Sequence, residues 1–60
     1  MPWKKWFALG CSIWENDKGD KLTLINRNRW TVEINNKPIE YFEEKSDALK
    51  YIEKYMKEND

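Results

Sequence analysis

The stretch that decides the fold is residues 21–42, KLTLINRNRWTVEINNKPIEYF, in which three apolar runs alternate with two polar turns. Alternation of apolar and polar side chains is typical of half-buried strands. The pattern therefore predicts three strands, Lys21–Ile25, Arg29–Ile34 and Lys37–Phe42. Asn35-Asn36 predicts a two-residue hairpin turn, because Asn tolerates the left-handed region. Pro38 has no N–H, which predicts that the last strand is an edge or has its free side there.

Upstream, residues Lys5–Trp14 are predicted as one further strand, followed by a polar loop, Glu15–Asp20, with Gly19 suited to positive φ. Turn lengths then fix the register, since a slip of one residue exchanges the two faces of a strand. The predicted opposite pairs are Val32 with Ile39, Trp30 with Tyr41, Leu24 with Trp30, Leu22 with Val32, Ile13 with Leu22, and Cys11 with Leu24. All of these share one apolar face, which predicts a four-stranded antiparallel meander.

The C-terminal segment carries helical periodicity. Ser46 is a suitable N-cap, and Asp47 lies favourably in the first turn. One apolar stripe follows at helical spacing, formed by Ala48, Leu49, Ile52, Tyr55 and Met56. The sequence thus predicts an α+β fold with a small antiparallel sheet of three to four strands, packed on one face by a single C-terminal helix. Residues 1–60 are expected to form one domain, with the sheet at about 5–42 and the helix at about 47–58.

Composition argues against catalysis. The 60 residues contain 11 Lys and Arg, 11 Asp and Glu, no His, one Cys and two Gly. A chain of this length supports one small domain, and a single cysteine forms no intramolecular disulfide. General-base catalysis lacks its commonest residue, and a phosphate-binding loop lacks its glycines. We therefore expect a protein that is not an enzyme and has no cofactor and no metal site.

The N-terminal segment resembles a lipoprotein signal, because Lys4-Lys5 precede an apolar run that ends at Cys11. The five residues between Lys5 and Cys11 are fewer than the roughly 7–15 of a signal core. No apolar run reaches the roughly 18 residues of a membrane-spanning helix. The sequence therefore predicts a soluble, cytoplasmic protein that does not bind a membrane.

One sheet face is predicted to lack a cover, because a single helix covers a single face. The predicted register places Trp6, Trp14, Ile25 and Phe42 on that face, and contiguous exposed apolar groups mark interaction sites. Residues 3–8 also extend beyond the predicted hairpin, and an unpaired edge favours a two-fold dimer. The predicted binding interface comprises Trp3, Trp6, Trp14, Ile25, Arg29 and Phe42. The alternative is an ordinary solvated surface, in which Trp14 lies over the stem of Lys21.

Nucleic acid is a second candidate partner. Residues 29–52, with Trp30-x-Val32-x-Ile34, Asn35-Asn36, Phe42 and Ala48, resemble the small sheet-plus-helix domains of tyrosine integrases and Apetala-type transcription factors. That resemblance implies a sheet inserted into the major groove. Those domains are basic, whereas this chain is neutral, and Lys21 and Arg29 are offset by Glu33 and Glu40. Few phosphates would be neutralised, although Trp6 and Trp14 offer stacking surfaces for single-stranded bases.

The leading hypothesis from the sequence is a non-enzymatic module that forms a homodimer and binds a further, unidentified protein. Proteins of this kind are often phage or mobile-element accessory factors that inhibit a partner by occlusion. The acidic side chains of the second half, among them Glu43 and Glu44, are then expected to face a basic surface of the target. The alternatives are a nucleic-acid-binding domain and a structural subunit of a larger assembly.

Overall fold

The computed structural model describes residues 3–59, which form one antiparallel sheet and one helix. The elements are β1 (Lys4–Ala8), β2 (Cys11–Glu15), β3 (Lys21–Asn26), β4 (Trp30–Ile34), β5 (Lys37–Phe42) and α1 (Lys45–Glu58). The strands are adjacent in chain order, β1-β2-β3-β4-β5. The α+β class, the antiparallel meander and the C-terminal helix are confirmed, and the sheet has five strands where three to four were predicted.

The additional strand arises because the predicted strand Lys5–Trp14 is a hairpin. Leu9 and Gly10 both have positive φ, 52° and 78°, and Ala8 pairs with Cys11 across this two-residue turn. Positive φ at both central positions defines the turn type that matches the twist of a hairpin. The sequence did not predict this turn, because turns of this type ordinarily carry Asn, Asp or Gly at the first central position, where this chain has Leu9.

The predicted register of β2 is wrong by one residue. Trp14, not Ile13, lies opposite Leu22, and Ser12 lies opposite Leu24. The cause is the β2–β3 loop, which begins at Asn16: its Oδ1 accepts hydrogen bonds from the backbone N–H groups of Lys18 (3.0 Å) and Asp20 (2.9 Å). Trp14 consequently lies on the helix side of the sheet, whereas Cys11 and Ile13 lie on the other side, here called the outer face.

The predicted register of β5 is also wrong by one residue, although its hairpin turn at Asn35-Asn36 is confirmed, with φ values of 53° and 70°. A β-bulge between Val32 and Glu33 leaves Ile39 as an extra residue. The observed pairs are Val32 with Glu40 and Trp30 with Phe42. A bulge inserts one residue and exchanges the faces beyond it. Phe42 therefore lies on the helix side, and Tyr41 lies on the outer face.

The β3–β4 pairing keeps the predicted faces. Leu24 lies opposite Val32, and Leu22 lies opposite Ile34, because the loop comprises residues 27–29 and not 26–28. The difference from the predicted pairs is two residues, and a shift of two residues leaves every side chain on its own face. The apolar pattern in β3 and β4 therefore predicted the buried face correctly, although the predicted partners were wrong.

Helix α1 begins at Lys45 with Glu44 as its N-cap, which makes no side-chain capping bond, so the predicted cap at Ser46 is wrong. The predicted apolar stripe is confirmed, with Ala48 and Ile52 fully buried. The buried apolar residues are Trp14, Leu22, Leu24, Val32, Ala48 and Ile52. Contacts between α1 and the sheet are made mainly with β4 and β5. The helix is thus displaced towards the β5 side of the sheet, and the β1 side has little cover.

Candidate interaction surface

The largest exposed apolar groups lie on β1 and its turn. All five residues of β1 are exposed, and β1 is an edge strand. The side chain of Phe7 is 72% exposed, that of Leu9 102%, and that of Trp6 38%. A flat, apolar edge strand is a template for pairing with another chain. We call residues 4–9 the β1 edge.

Apolar side chains project from both faces of the β1 edge. Trp6 pairs with Ile13 on the outer face, whereas Phe7 pairs with Ser12 on the helix side. Phe7 remains exposed because α1 packs mainly on β4 and β5, at the far side of the sheet. The β1 edge can therefore contact a partner on both faces of the sheet at once.

The conformation of Leu9 has a local energetic cost. Its φ of 52° lies in the left-handed region, which is unfavourable by roughly 1–2 kcal/mol for a residue with a Cβ. The fully exposed side chain has no packing within the described chain to offset that cost. A strained, exposed apolar residue at a turn motivates a hypothesis of function.

The backbone of β1 has two sets of polar groups. In a two-residue turn the carbonyl of the first residue accepts from the N–H of the fourth, so Ala8 and Cys11 are a hydrogen-bonded pair. Hydrogen-bonded and non-hydrogen-bonded pairs alternate along an antiparallel ladder. Trp6 therefore bonds to β2, whereas the N–H and C=O groups of Lys5 and Phe7 point away from the sheet. These groups are free to pair with an added strand.

The opposite edge of the sheet is protected. In β5, Pro38 lacks an N–H, and the bulge at Ile39 interrupts the ladder. Glu40 adds an exposed charge on the helix side. Bulges and prolines interrupt the ladder that an added strand would continue, whereas β1 has neither and its charges, Lys4 and Lys5, leave the main-chain groups available. Of the two edges of the described sheet, β1 is the one that can accept a strand.

A lysine cation lies beside the apolar groups of the β1 edge. The Lys5 Nζ is 5.0 Å from the centroid of the Phe7 ring and 5.2 Å from that of Trp14. Such cation–π contacts are worth roughly 0.5–1 kcal/mol at exposed sites. The ammonium group covers part of the Trp14 ring, which otherwise packs in the core cluster that includes Ala48 and Ile52 of α1 and is 7% exposed.

A second candidate site is a shallow groove at the end of the sheet near the β3–β4 loop. Its volume is about 200 Å³, and its lining residues are Arg27, Asn28, Arg29, Thr31, Pro38 and Tyr41. The Arg29 guanidinium lies 5.4 Å from the centroid of the Tyr41 ring. Two guanidinium groups beside an aromatic ring are suited to a planar, anionic ligand.

The residues predicted to form one interface do not share one surface in the structure. Trp6 and Arg29 are exposed, and Ile25 is half-buried on the outer face. The face predictions for Trp14 and Phe42 are wrong: Trp14 lies in the core, and Phe42 packs against Tyr51 with ring centroids 5.7 Å apart. Trp3 is half-buried against Tyr55, with centroids 6.4 Å apart.

Phe7 and Leu9 were missed by the sequence-based prediction. In the predicted strand Lys5–Trp14, Phe7 and Leu9 share the parity of Cys11 and Ile13, which puts both on the predicted buried face. The signal that could have found them was Gly10, because a glycine inside an apolar strand pattern marks a bulge or a turn. A hairpin at that position converts both residues into exposed ones.

Residues 3–59 contain no group of three or more Cys, Asp or Glu side chains with metal-binding geometry. Cys11 is a free, half-buried thiol whose Sγ lies 3.7 Å from the carbonyl oxygen of Leu9. Helix α1 is too short and too polar to cross a bilayer, and it is the sole helix of the described range.

Comparisons with protein-family models, curated proteins and solved structures found no match to this chain. The geometry of the β1 edge and of the β3–β4 groove is therefore the basis of the functional proposals that follow.

Proposed function

We propose that this chain is a small, non-enzymatic interaction module that binds another polypeptide by adding a strand of that polypeptide to β1. The observation that carries the proposal is the exposure of the whole β1 edge, with Phe7 72% and Leu9 102% exposed beside free backbone groups. Strand addition obtains affinity from main-chain hydrogen bonds and specificity from alternate side chains. Where that polypeptide is a different protein, inhibition by occlusion is the expected consequence, since the partner's paired strand becomes inaccessible.

Charge and exposure are consistent with such a contact. The β1 edge carries two cations, Lys4 and Lys5, and no acidic residue. An extended segment that has apolar residues at alternate positions and places no cation directly opposite these lysines would complement it. Burying Phe7 and Leu9 would each contribute about 1.5–3 kcal/mol before the costs of association are subtracted.

The test is site-specific photo-crosslinking in cells that produce the protein. Benzoylphenylalanine at Phe7 should form polypeptide adducts, and the same group at the exposed Tyr41, at the far side of the sheet, should not. Combining the Phe7 probe with Lys5→Pro should abolish the adducts, because this change removes an outward N–H and no hydrogen bond within the sheet. Equal adducts from positions 7 and 41, or adducts that persist with Lys5→Pro, would contradict the proposal.

A second candidate function is supported by the β3–β4 groove. Arg27 and Arg29 line the same groove as Tyr41, and the Arg29 guanidinium lies over the Tyr41 ring, an arrangement suited to a base and its phosphate. Binding of a fluorescent single-stranded oligonucleotide at low salt should then be lost with Arg29→Gln and weakened steeply by salt. Binding unchanged by Arg29→Gln would exclude the groove as the site.

A further inference from the structure

We propose that the strand added to β1 is β1 of a second copy of this chain, in antiparallel register about a two-fold axis at Trp6. This inference rests on the proposed function, since it uses the same edge. It commits the site to one partner and one register, and both follow from the hydrogen-bonding parity, the charges and the backbone conformation of residues 4–9.

Hydrogen-bonding parity removes half of the antiparallel registers. The outward groups of β1 belong to Lys5 and Phe7, because Ala8, Trp6 and Lys4 bond to β2. Two copies can pair only if outward residues face outward residues. Registers in which Trp6 faces Phe7 or Lys5 of the second copy are therefore excluded. The two-fold axis must pass through a residue pair and not between residues.

Charge and conformation decide among the remaining registers. An axis at Lys5 places two lysines directly opposite each other, which is unfavourable. An axis at Phe7 places Lys5 opposite Leu9, whose φ of 52° is not extended and continues no ladder. An axis at Trp6 pairs Lys5 with Phe7 of the second copy twice, which gives four main-chain hydrogen bonds and no opposed lysines. A parallel, in-register arrangement would place Lys4 and Lys5 beside the same lysines of the second copy, which is unfavourable.

The side chains fit this register. The two Trp6 side chains meet on the outer face as a non-hydrogen-bonded pair, the closer of the two pair types. On the helix side each Lys5 lies opposite Phe7 of the other copy, and Lys5 Nζ already approaches the Phe7 ring of its own chain at 5.0 Å. The smallest residue of the strand, Ala8, lies opposite Lys4. Aromatic pairs and cation–π pairs across strands are both stabilising.

The two edges of the sheet also determine how far assembly proceeds. Pairing of β1 with β1 uses the same surface on both copies and closes the assembly at two. The remaining edges of the joined sheet are both β5, where Pro38 and the bulge block further addition. The product is a dimer with one continuous sheet of ten strands. Because each edge offers only five residues, the interface falls in the small, weakly associating class.

The first measurement is sedimentation equilibrium of the purified chain from about 1 µM to about 1 mM, the range in which small interfaces dissociate. We expect a reversible monomer–dimer equilibrium without larger species. Phe7→Lys and Lys5→Pro should each weaken dimerisation at least about 10-fold, and the matched change Ile39→Lys, at an exposed apolar residue of β5, should leave it within about 2-fold. Circular dichroism of each variant establishes that the fold is retained.

The second measurement determines the register by disulfide trapping in a Cys11→Ser background. Trp6→Cys should form a covalent dimer in a glutathione redox buffer, because Cα atoms of a non-hydrogen-bonded pair lie about 4.5 Å apart, within disulfide reach. Phe7→Cys alone should not, since its two copies are offset by two residues along the strands. A mixture of Lys5→Cys and Phe7→Cys chains should cross-link as heterodimers.

The outcomes distinguish this inference from the proposed function. A dimer trapped more efficiently by Phe7→Cys or by Ile13→Cys than by Trp6→Cys would overturn the register. A monomer at every concentration, together with residue-7 adducts to a different protein, would overturn the second copy and leave the strand-addition function intact. A monomer without adducts at residue 7 would refute both proposals.

Discussion

The face on which each tryptophan lies gives a quantitative prediction for stability. Trp14 is 7% exposed and belongs to the core, whereas Trp6 is 38% exposed on the outer face. Replacement of a buried aromatic residue by Ala costs about 3–5 kcal/mol, from lost transfer free energy and a residual cavity. For Trp6→Ala, whose side chain is partly in water already, we expect a loss of about 1–2 kcal/mol. The difference between the two variants should therefore be about 1–4 kcal/mol, with Trp14→Ala the more destabilised.

Urea denaturation followed by circular dichroism is the suitable assay, because it does not use the fluorescence of the replaced residues. Protein at about 1 µM keeps self-association from contributing to the unfolding free energy. A domain of this length has a stability of about 3–9 kcal/mol, so Trp14→Ala should lower the urea concentration at the unfolding midpoint by about a third or more. Equal losses for Trp6→Ala and Trp14→Ala, or a larger loss for Trp6→Ala, would refute the register of β2.

Three further predictions concern single positions. Asn16→Ala should cost about 1–3 kcal/mol in urea denaturation, because it removes the Oδ1 that accepts two backbone N–H groups. Leu9→Asn should raise the melting temperature in thermal denaturation, by relieving about 1 kcal/mol of left-handed strain. Burial, and then the charge of Glu40, raise the pKa of Tyr51 above its usual value of 10.0, so the unfolded chain loses this proton first. The contribution of Tyr51 to stability is therefore complete below pH 10 and is lost as pH rises through the folded pKa. In urea denaturation at several pH values, Tyr51→Phe should reduce the loss of stability above pH 10. Tyr41→Phe, at an exposed position, is the control.

Local patterns predicted those parts of the fold in which one feature dominates. The alternation in β3 and β4, the Asn35-Asn36 turn and the stripe of α1 were all read correctly from the sequence. Leu24 and Val32 reached the buried face although their predicted partners were wrong, because the error was an even number of residues. The spacing of apolar residues along a strand or helix predicts the buried face without any knowledge of distant contacts.

The errors occurred where one residue changed the parity. The Asn16 side chain begins the β2–β3 loop and moves Trp14 to the helix side. The bulge at Ile39 does the same for Phe42. Neither effect has a periodic signature, because a side-chain acceptor and a bulge depend on how two segments meet. The predicted interface inherited both errors, so it contained Trp14 and Phe42 and lacked Phe7 and Leu9.

The composition of the β1–β2 turn bears on what the β1 edge is for. For folding alone, Asn or Gly at position 9 would stabilise the hairpin, and a charge at position 7 would protect the edge, as Pro38 and Glu40 protect β5. Both residues are unfavourable for the isolated chain: Leu9 strains the backbone, and Phe7 exposes a large apolar side chain. Local rules broken without compensation inside a fold are expected at functional sites. A bound strand would supply part of that compensation, because it covers Phe7 and pairs the free backbone groups of Lys5 and Phe7.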